Sequence, residues 1–177
     1  MKLNDVIQCM VGGIVHSGTT ITCKILNLHP YLEGATECGI ALCIDGDKFR
    51  KLRKNKSMYM HLTNKELWGL SDTQLDDVIN SSDFIEAYDK LRQYTPRITG
   101  DRSKIKLFDK RPNIIYRVEE ILDKVTNNSI PIVILRKDPR NQVRSLMKRG
   151  LPFRNSLNIY KENIVNKKSL FEKEDSI

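Results

Sequence analysis

Long apolar runs are missing from this chain of 177 residues. No stretch approaches the roughly 20 apolar residues that a membrane-spanning helix requires, and Met1 to Gly13 lacks the apolar core of a secretory leader. A soluble, cytoplasmic protein with no membrane partner is therefore expected. Cysteine is scarce: Cys9, Cys23, Cys38 and Cys43 form no C-x-x-C pair, and His16, His29 and His61 are scattered. That excludes a disulfide framework and argues against zinc, leaving reduced, mostly buried thiols. Aromatic residues are only 7% of the chain and are not interleaved with its basic run, which disfavours a stacking platform for nucleic acid. No repeat or low-complexity tract appears, so collagen-like and coiled-coil architectures are out.

What remains is a globular composition, 40% hydrophobic and 29% charged, in a length suited to one domain over 1–177. Lys plus Arg exceed Asp plus Glu by 30 to 22, a net charge of +8, which favours a partner carrying phosphate, sulfate or carboxylate. Lys48, Arg50, Lys51, Arg53, Lys54 and Lys56 form a dense basic run. It reads as a solvated helix face or loop, or as an attractor for an anionic acceptor or nucleic acid.

Val6 to Val11 is a short apolar run bounded by Gly12-Gly13, a buried strand entering a tight turn. Thr20 to Leu28 then places Ile21, Ile25 and Leu28 at helical spacing, and His29-Pro30 ends the pattern. The middle, Ile40 to about Arg97, reads as mostly helical, with Ser71 to Gln74 fitting a capping box before Leu75, Val78 and Ile79. Thr95 to Ser103 has loop composition. Ile105 to Phe108 predicts a strand ending at Asp109-Lys110-Arg111-Pro112, and Ile114 to Val125 an amphipathic helix. Ile130 to Leu135 is the clearest strand. Arg136-Lys137-Asp138-Pro139-Arg140 follows it, then a helix from Asn141 to Arg149 and another over 156–171. Apolar strands alternating with helices predict an α/β fold, a parallel central sheet covered by helices.

Ligands in such sheets sit beyond the carboxyl ends of the strands, and two of those exits carry anion-binding chemistry. Gly13 to Thr20 matches the Walker A frame G-x-x-x-x-G-K-[ST], except that Thr19 stands where lysine belongs. A turn of this kind aims backbone N–H groups and a helix dipole at one spot, and Ser17, Thr19 and Thr20 add hydroxyls. The missing lysine disfavours a nucleotide kinase or hydrolase.

The ordered string Gly12-Gly13, Ser17-Gly18-Thr19-Thr20, Leu28-His29-Pro30 and Glu37 resembles the 5'-phosphosulfate loop of sulfotransferases that use 3'-phosphoadenosine 5'-phosphosulfate. Lys137-Asp138-Pro139-Arg140 with Ser145 resembles that family's 3'-phosphate segment, and Asp109-Lys110-Arg111-Pro112 its Lys-x-Pro element. The likeness is greatest to the tyrosylprotein and bacterial branch. It implies a P-loop-type three-layer sandwich with Gly13, His16, Ser17, Gly18, Thr19, Thr20, Arg136, Lys137 and Ser145 around the nucleotide. Glu37 then becomes the base, with Glu33 its rival, and Lys110 lies near the transferring sulfonate. His16 replaces the family's usual Lys or Arg; as an imidazolium it would donate to the leaving group, and activity would fall as pH rises. Lys137 occupies the usual arginine slot with Arg136 one residue early, and alternation on a strand separates the two. The family continues past the helix over 156–171 with another strand, so the resemblance implies a C-terminally shortened compact variant, a natural truncation or one piece of a longer product. The scheme needs no metal. The acceptor, a carbohydrate, tyrosine or small-alcohol hydroxyl, is left open, with an acidic acceptor favoured by charge. A P-loop kinase or hydrolase and a non-catalytic module binding a nucleotide or polyanion are the alternatives.

Overall fold

A computed structural model of the chain describes residues 2–14, 16–34, 37–42, 62, 64–125 and 130–165. Strands β1 (Ile7–Gly13), β2 (Leu32–Glu33), β3 (Lys106–Lys110) and β4 (Ile132–Leu135) form one sheet in the order β2-β3-β1-β4. Every pairing is parallel, so all four strands present their carboxyl ends at one edge. Helices α1 (Thr19–Leu26), α2 (Lys65–Trp68), α3 (Asp72–Ile79), α4 (Phe84–Tyr94), α5 (Val118–Val125), α6 (Pro139–Met147) and α7 (Phe153–Val165) accompany it. The expected α/β architecture is the one that forms.

Alternation along the strands feeds two separate cores. Cys9, Val11 and Phe108 meet Cys23, Leu26, Leu32 and Leu135 on the α1 face. Met10, Leu107, Ile132 and Ile134 face the other way, into a larger core with Trp68, Leu75, Tyr88, Leu91, Ile114 and Val118. A register shift between Ile7 and Cys9 sends Ile7 to the larger core as well. The chain thus leaves β1 over one face, through α1, and leaves β3 over the other, through a 3-10 turn (Pro112–Arg117) and α5. Neighbouring strands whose connections diverge in this way flank a crevice at their carboxyl ends.

Local chemistry accounts for the elements and for four departures from expectation. Ser71 caps α3 as its sequence predicts: its hydroxyl accepts from Gln74 N at 3.2 Å and its N–H donates to Gln74 Oε1 at 2.9 Å. Gly12 and Gly13, expected to form the turn, instead extend β1 and pair with Ile134 and Leu135. Close approach makes a side chain tight at Gly12 and excludes one without rearrangement at Gly13. A Cβ on Gly12 would lie 3.1 Å from Ile114 Cβ, and one on Gly13 would lie 2.7 Å from Leu135 O. β3 runs two residues further than expected because Asp109 and Lys110 find partners inside the fold, described below. β4 is an edge strand, which leaves Val133 exposed. Finally, α1 forms where its apolar spacing predicts, but it lies on the sheet through Thr19 and Cys23, with Ile21, Ile25 and Leu28 outward. Small side chains allow the helix to approach Cys9 and Phe108 closely. Asn27 fixes its rotation by donating to Gly34 O at 2.6 Å and accepting from Gly34 N at 2.9 Å.

Cys43, His61, the basic run over 48–56 and the last part of the expected final helix, 166–171, lie outside the described residues.

Candidate functional site

The loop leaving β1 closes tightly. Ser17 N donates to Ile14 O at 2.9 Å, and both His16 (φ 71) and Gly18 (φ 111) adopt left-handed conformations. For Gly18 that costs nothing; for His16 it is a strained conformation of the sort that persists where the surroundings demand it. Gly18 stands at the N-cap of α1 and offers no side chain to it, so the first N–H groups of the helix leave the backbone without an intrahelical acceptor. Ser17 Oγ is buried beside them and has no hydrogen-bond partner among the described residues. An uncapped helix start beside a buried hydroxyl presents hydrogen-bond donors of the kind that suit an anion. Thr19 is buried and Thr20 exposed, so Thr20 is the more accessible of the two hydroxyls expected there.

The exit of β4 lies directly beside this loop, because Gly13 pairs with Leu135. Asp138 caps α6 through the N–H of Arg140, at 2.9 Å, and Pro139 takes the first helical position. The Arg140 guanidinium returns to Asp138 at 2.8 Å, and these contacts hold that carboxyl down to about 2. Arg140 is thereby occupied locally. Lys137 and Ser145, expected to act together, line one cavity of ≈ 300 Å³, joined by Asn141, Arg144 and Lys148. The lining is cationic or neutral throughout. Arg136 is not among the residues lining the cavity; its charge reaches Tyr160 on α7, although burial raises that phenol above its ordinary value. Of the two adjacent basic residues, then, the structure brings Lys137 to Ser145. Arg144 and Lys148 were not anticipated. Their signal was nonetheless present, since 137, 141, 144/145 and 148 follow one helical face.

His16 links the two exits. Its ring is pushed below the ordinary 6.5, first by burial and then by the charges of Arg149 and Lys137. Burial and, after it, these two cations favour the neutral imidazole in the unliganded protein.

At the third exit the carboxylate and the lysine meet. Lys110, the last residue of β3, lies with Nζ 3.2 Å from Glu37 Oε1, and Arg111 Nε is 3.8 Å from Glu37 Oε2. Lys110 and Arg111 are almost fully buried, whereas Glu37 keeps 17% of its side chain in contact with solvent. The Glu37 carbonyl accepts from Trp68 Nε1 at 2.9 Å, which ties the segment to α2. Beneath it, Asp109 accepts from Tyr88 OH at 2.6 Å and from Ala41 N at 3.4 Å. The rival Glu33 is engaged elsewhere, by Arg97 at 2.6 Å. Arg111, Asp109 and Tyr88 went unassigned by sequence reasoning, because a buried polar network depends on which helix covers the strand end. The charges of Lys110 and Glu37 reach Cys23 on α1, so this pair stands on the α1 side of the crevice.

The chain matches no model of a known protein family, no curated protein and no solved structure.

Its chemistry must be read from its own side chains. Cys9, Cys23 and Cys38 are buried thiols, and burial raises each above its ordinary value, which disfavours the reactive thiolate. Among the described residues no group of three His, Cys, Asp or Glu side chains could hold a metal ion, and no helix is long and apolar enough to cross a membrane. The arrangement is suited to receiving two anionic groups on neighbouring strand exits, with a carboxylate and a lysine at a third.

Proposed function

We propose that the protein is a sulfotransferase that uses 3'-phosphoadenosine 5'-phosphosulfate to sulfate an acceptor hydroxyl. The observation that carries this reading is the adjacency of two anion-receiving exits: the uncapped start of α1 with the buried Ser17 hydroxyl, and the cationic cavity of Lys137, Arg144, Ser145 and Lys148, joined through the Gly13–Leu135 pairing. A donor charged at both its 5' and 3' ends needs two such sites.

When bound, the donor supplies a sulfuryl group activated by its anhydride link to phosphate. The N–H groups of Gly18, Thr19 and Thr20 and the Ser17 hydroxyl hold the 5' end, while Lys137 and Ser145 hold the 3'-phosphate with Arg144 and Lys148 beside them. Glu37 takes the acceptor's proton as its oxygen bonds to sulfur. Lys110 turns from Glu37 toward the bridging oxygen and stabilises, by hydrogen bond and charge, the negative charge that stays on it as the sulfur–oxygen bond to the nucleotide breaks. The neutral His16 ring donates a hydrogen bond from the same loop.

Calorimetry with 3'-phosphoadenosine 5'-phosphate, 5'-AMP, magnesium-ATP and a short oligonucleotide tests the reading, together with transfer of radiolabelled sulfate to a carbohydrate, a tyrosyl peptide and a small alcohol. Binding of the bisphosphate at least about tenfold tighter than 5'-AMP, a difference of about 1.4 kcal/mol, without magnesium dependence, is expected. Tight, magnesium-dependent binding of ATP alone overturns it. A second reading, nucleotide binding without transfer, is favoured by the engagement of Glu37 with Lys110 and Arg111. It predicts the same binding order and no labelled product with any acceptor.

A further inference from the structure

The outward stripe of α1 has no counterpart in the core. Ile21 and Ile25 are each 59% exposed, Leu28 83% and Tyr31 55%. Ile21 and Ile25 stand one turn apart on α1, and Leu28, in the turn that follows the helix, and Tyr31 continue the exposed apolar residues beyond its end. Single exposed apolar residues are ordinary; four within eleven consecutive residues mark a surface that something covers.

Tyr31 also forms one wall of a groove of ≈ 370 Å³ lined by Gln8, His29, Leu32, Lys104 and Lys106. The groove lies near the amino ends of β1 and β3, away from the strand exits that carry the candidate site. Tyr31 is held in place: its N–H donates to His29 Nδ1 at 3.2 Å, and the two rings meet edge to face at 5.9 Å. Charge around the surface is one-sided. Lys24 lies next to Ile25 on the exposed side of α1, and Lys104 and Lys106 line the groove. Among nearby acids, Glu33 is taken by Arg97 at 2.6 Å, and Asp101 accepts from Ser103 N and Oγ at 3.1 and 2.6 Å, its contact to Lys104 at 3.4 Å being solvated.

We propose that the outer face of α1 and the groove beside Tyr31 form a docking surface for an acidic, amphipathic protein segment. Apolar side chains of the partner at helical spacing cover Ile21, Ile25 and Leu28, one apolar side chain enters the groove against Tyr31, and carboxylates meet Lys24, Lys104 and Lys106. Charge selects this occupant. A second copy of the chain, placed by a two-fold axis, would bring these lysines against themselves. A bilayer would cover the stripe but leave a concave groove unfilled.

The test is fluorescence anisotropy with the full chain and a labelled helical peptide of about five turns, roughly 18 residues, carrying Leu at i, i+4 and i+7 flanked by Glu. A control peptide carries Lys in place of Glu. Saturable binding of the Glu peptide is expected, about tenfold or more tighter than the Lys peptide, a gap of about 1.4 kcal/mol, and weakened by added salt. The pair Ile25→Ser and Leu28→Ser, and separately Lys24→Glu with Lys104→Glu, should each weaken it by about tenfold or more while the far-ultraviolet circular dichroism stays unchanged. Equal binding of both peptides, or no effect of the serine pair, overturns the proposal. So does binding to phosphatidylcholine–phosphatidylserine vesicles, or a dimer in sedimentation velocity, that the serine pair abolishes. All of these readouts are independent of sulfate transfer.

Discussion

Replacing Lys110 by Met removes the closest cation from Glu37 and leaves Arg111, at 3.8 Å, as its neighbour. At the observed 3.2 Å, unit charges attract by roughly 5 kcal/mol at an effective dielectric of about 20. Most of that attraction is offset by the loss of hydration of two ions, and Arg111 compensates for part of the remainder. A coupling of about 2 kcal/mol between the two side chains is the expected residue. For a chain of this size each kcal/mol moves the melting temperature by about 2–4 °C, so Lys110→Met should melt roughly 4–8 °C lower. The decisive comparison is a double-mutant cycle. Glu37→Gln relieves the stranded carboxylate, so the double variant should be more stable than the sum of the two single changes by about 2 kcal/mol. Urea unfolding of the four proteins, followed by circular dichroism, measures this directly. Additivity within about 0.5 kcal/mol would refute the placement of Glu37 against Lys110, and with it the assignment of base and charge stabiliser to one pair.

A methyl group at Gly13 meets Ser17 Oγ at 2.5 Å and Leu135 O at 2.7 Å with φ at +157; Gly13→Ala should therefore cost roughly 2–4 kcal/mol, and a thermal melt within a degree or so of the parent, the scale of a few tenths of a kcal/mol, would contradict it. His16 should titrate below 6.5 by NMR. Because the unfolded chain then takes up the proton first, stability should fall as pH drops through 6.5, and His16→Gln should lack that fall. Adding 3'-phosphoadenosine 5'-phosphate should move the titration upward; a free-state value at or above 6.5 counts against the burial of the ring beside Arg149 and Lys137. Lys137→Gln should weaken calorimetric binding of the same nucleotide by about 10–100-fold, the loss of one charge-assisted contact. Arg136→Gln should change it less than about threefold, and the reverse order would reassign the 3'-phosphate.

Sequence made the parallel sheet legible, because Val6 to Val11, Ile105 to Phe108 and Ile130 to Leu135 are apolar runs separated by helical patterns, and parallel strands are buried on both faces. The capping box at Ser71 was equally plain, since its two hydrogen bonds depend only on residues three apart. The string of motifs singled out Glu37, Lys110, Lys137 and Ser145 one by one, but not that Glu37 pairs with Lys110, and it left Arg136 and Lys137 both open as the partner of Ser145. What stayed hidden depends on tertiary placement. Periodicity announces a helix at Ile21, Ile25 and Leu28 but does not say which side bears the sheet. That side was chosen by the small residues Thr19 and Cys23. β2 is two residues long and carries no pattern. Alternation separates Arg136 from Lys137, yet only the position of α6 decides which of them reaches Ser145.

The chain has one tryptophan, and its indole nitrogen is tethered to the backbone of Glu37 while its ring is sealed from water. Emission from Trp68 is therefore a built-in optical gauge of the segment that bears the carboxylate. Any ligand that draws Glu37 away from its resting position alters the polarity around that fluorophore, and occupancy becomes readable in an unlabelled sample, at low concentration and in real time.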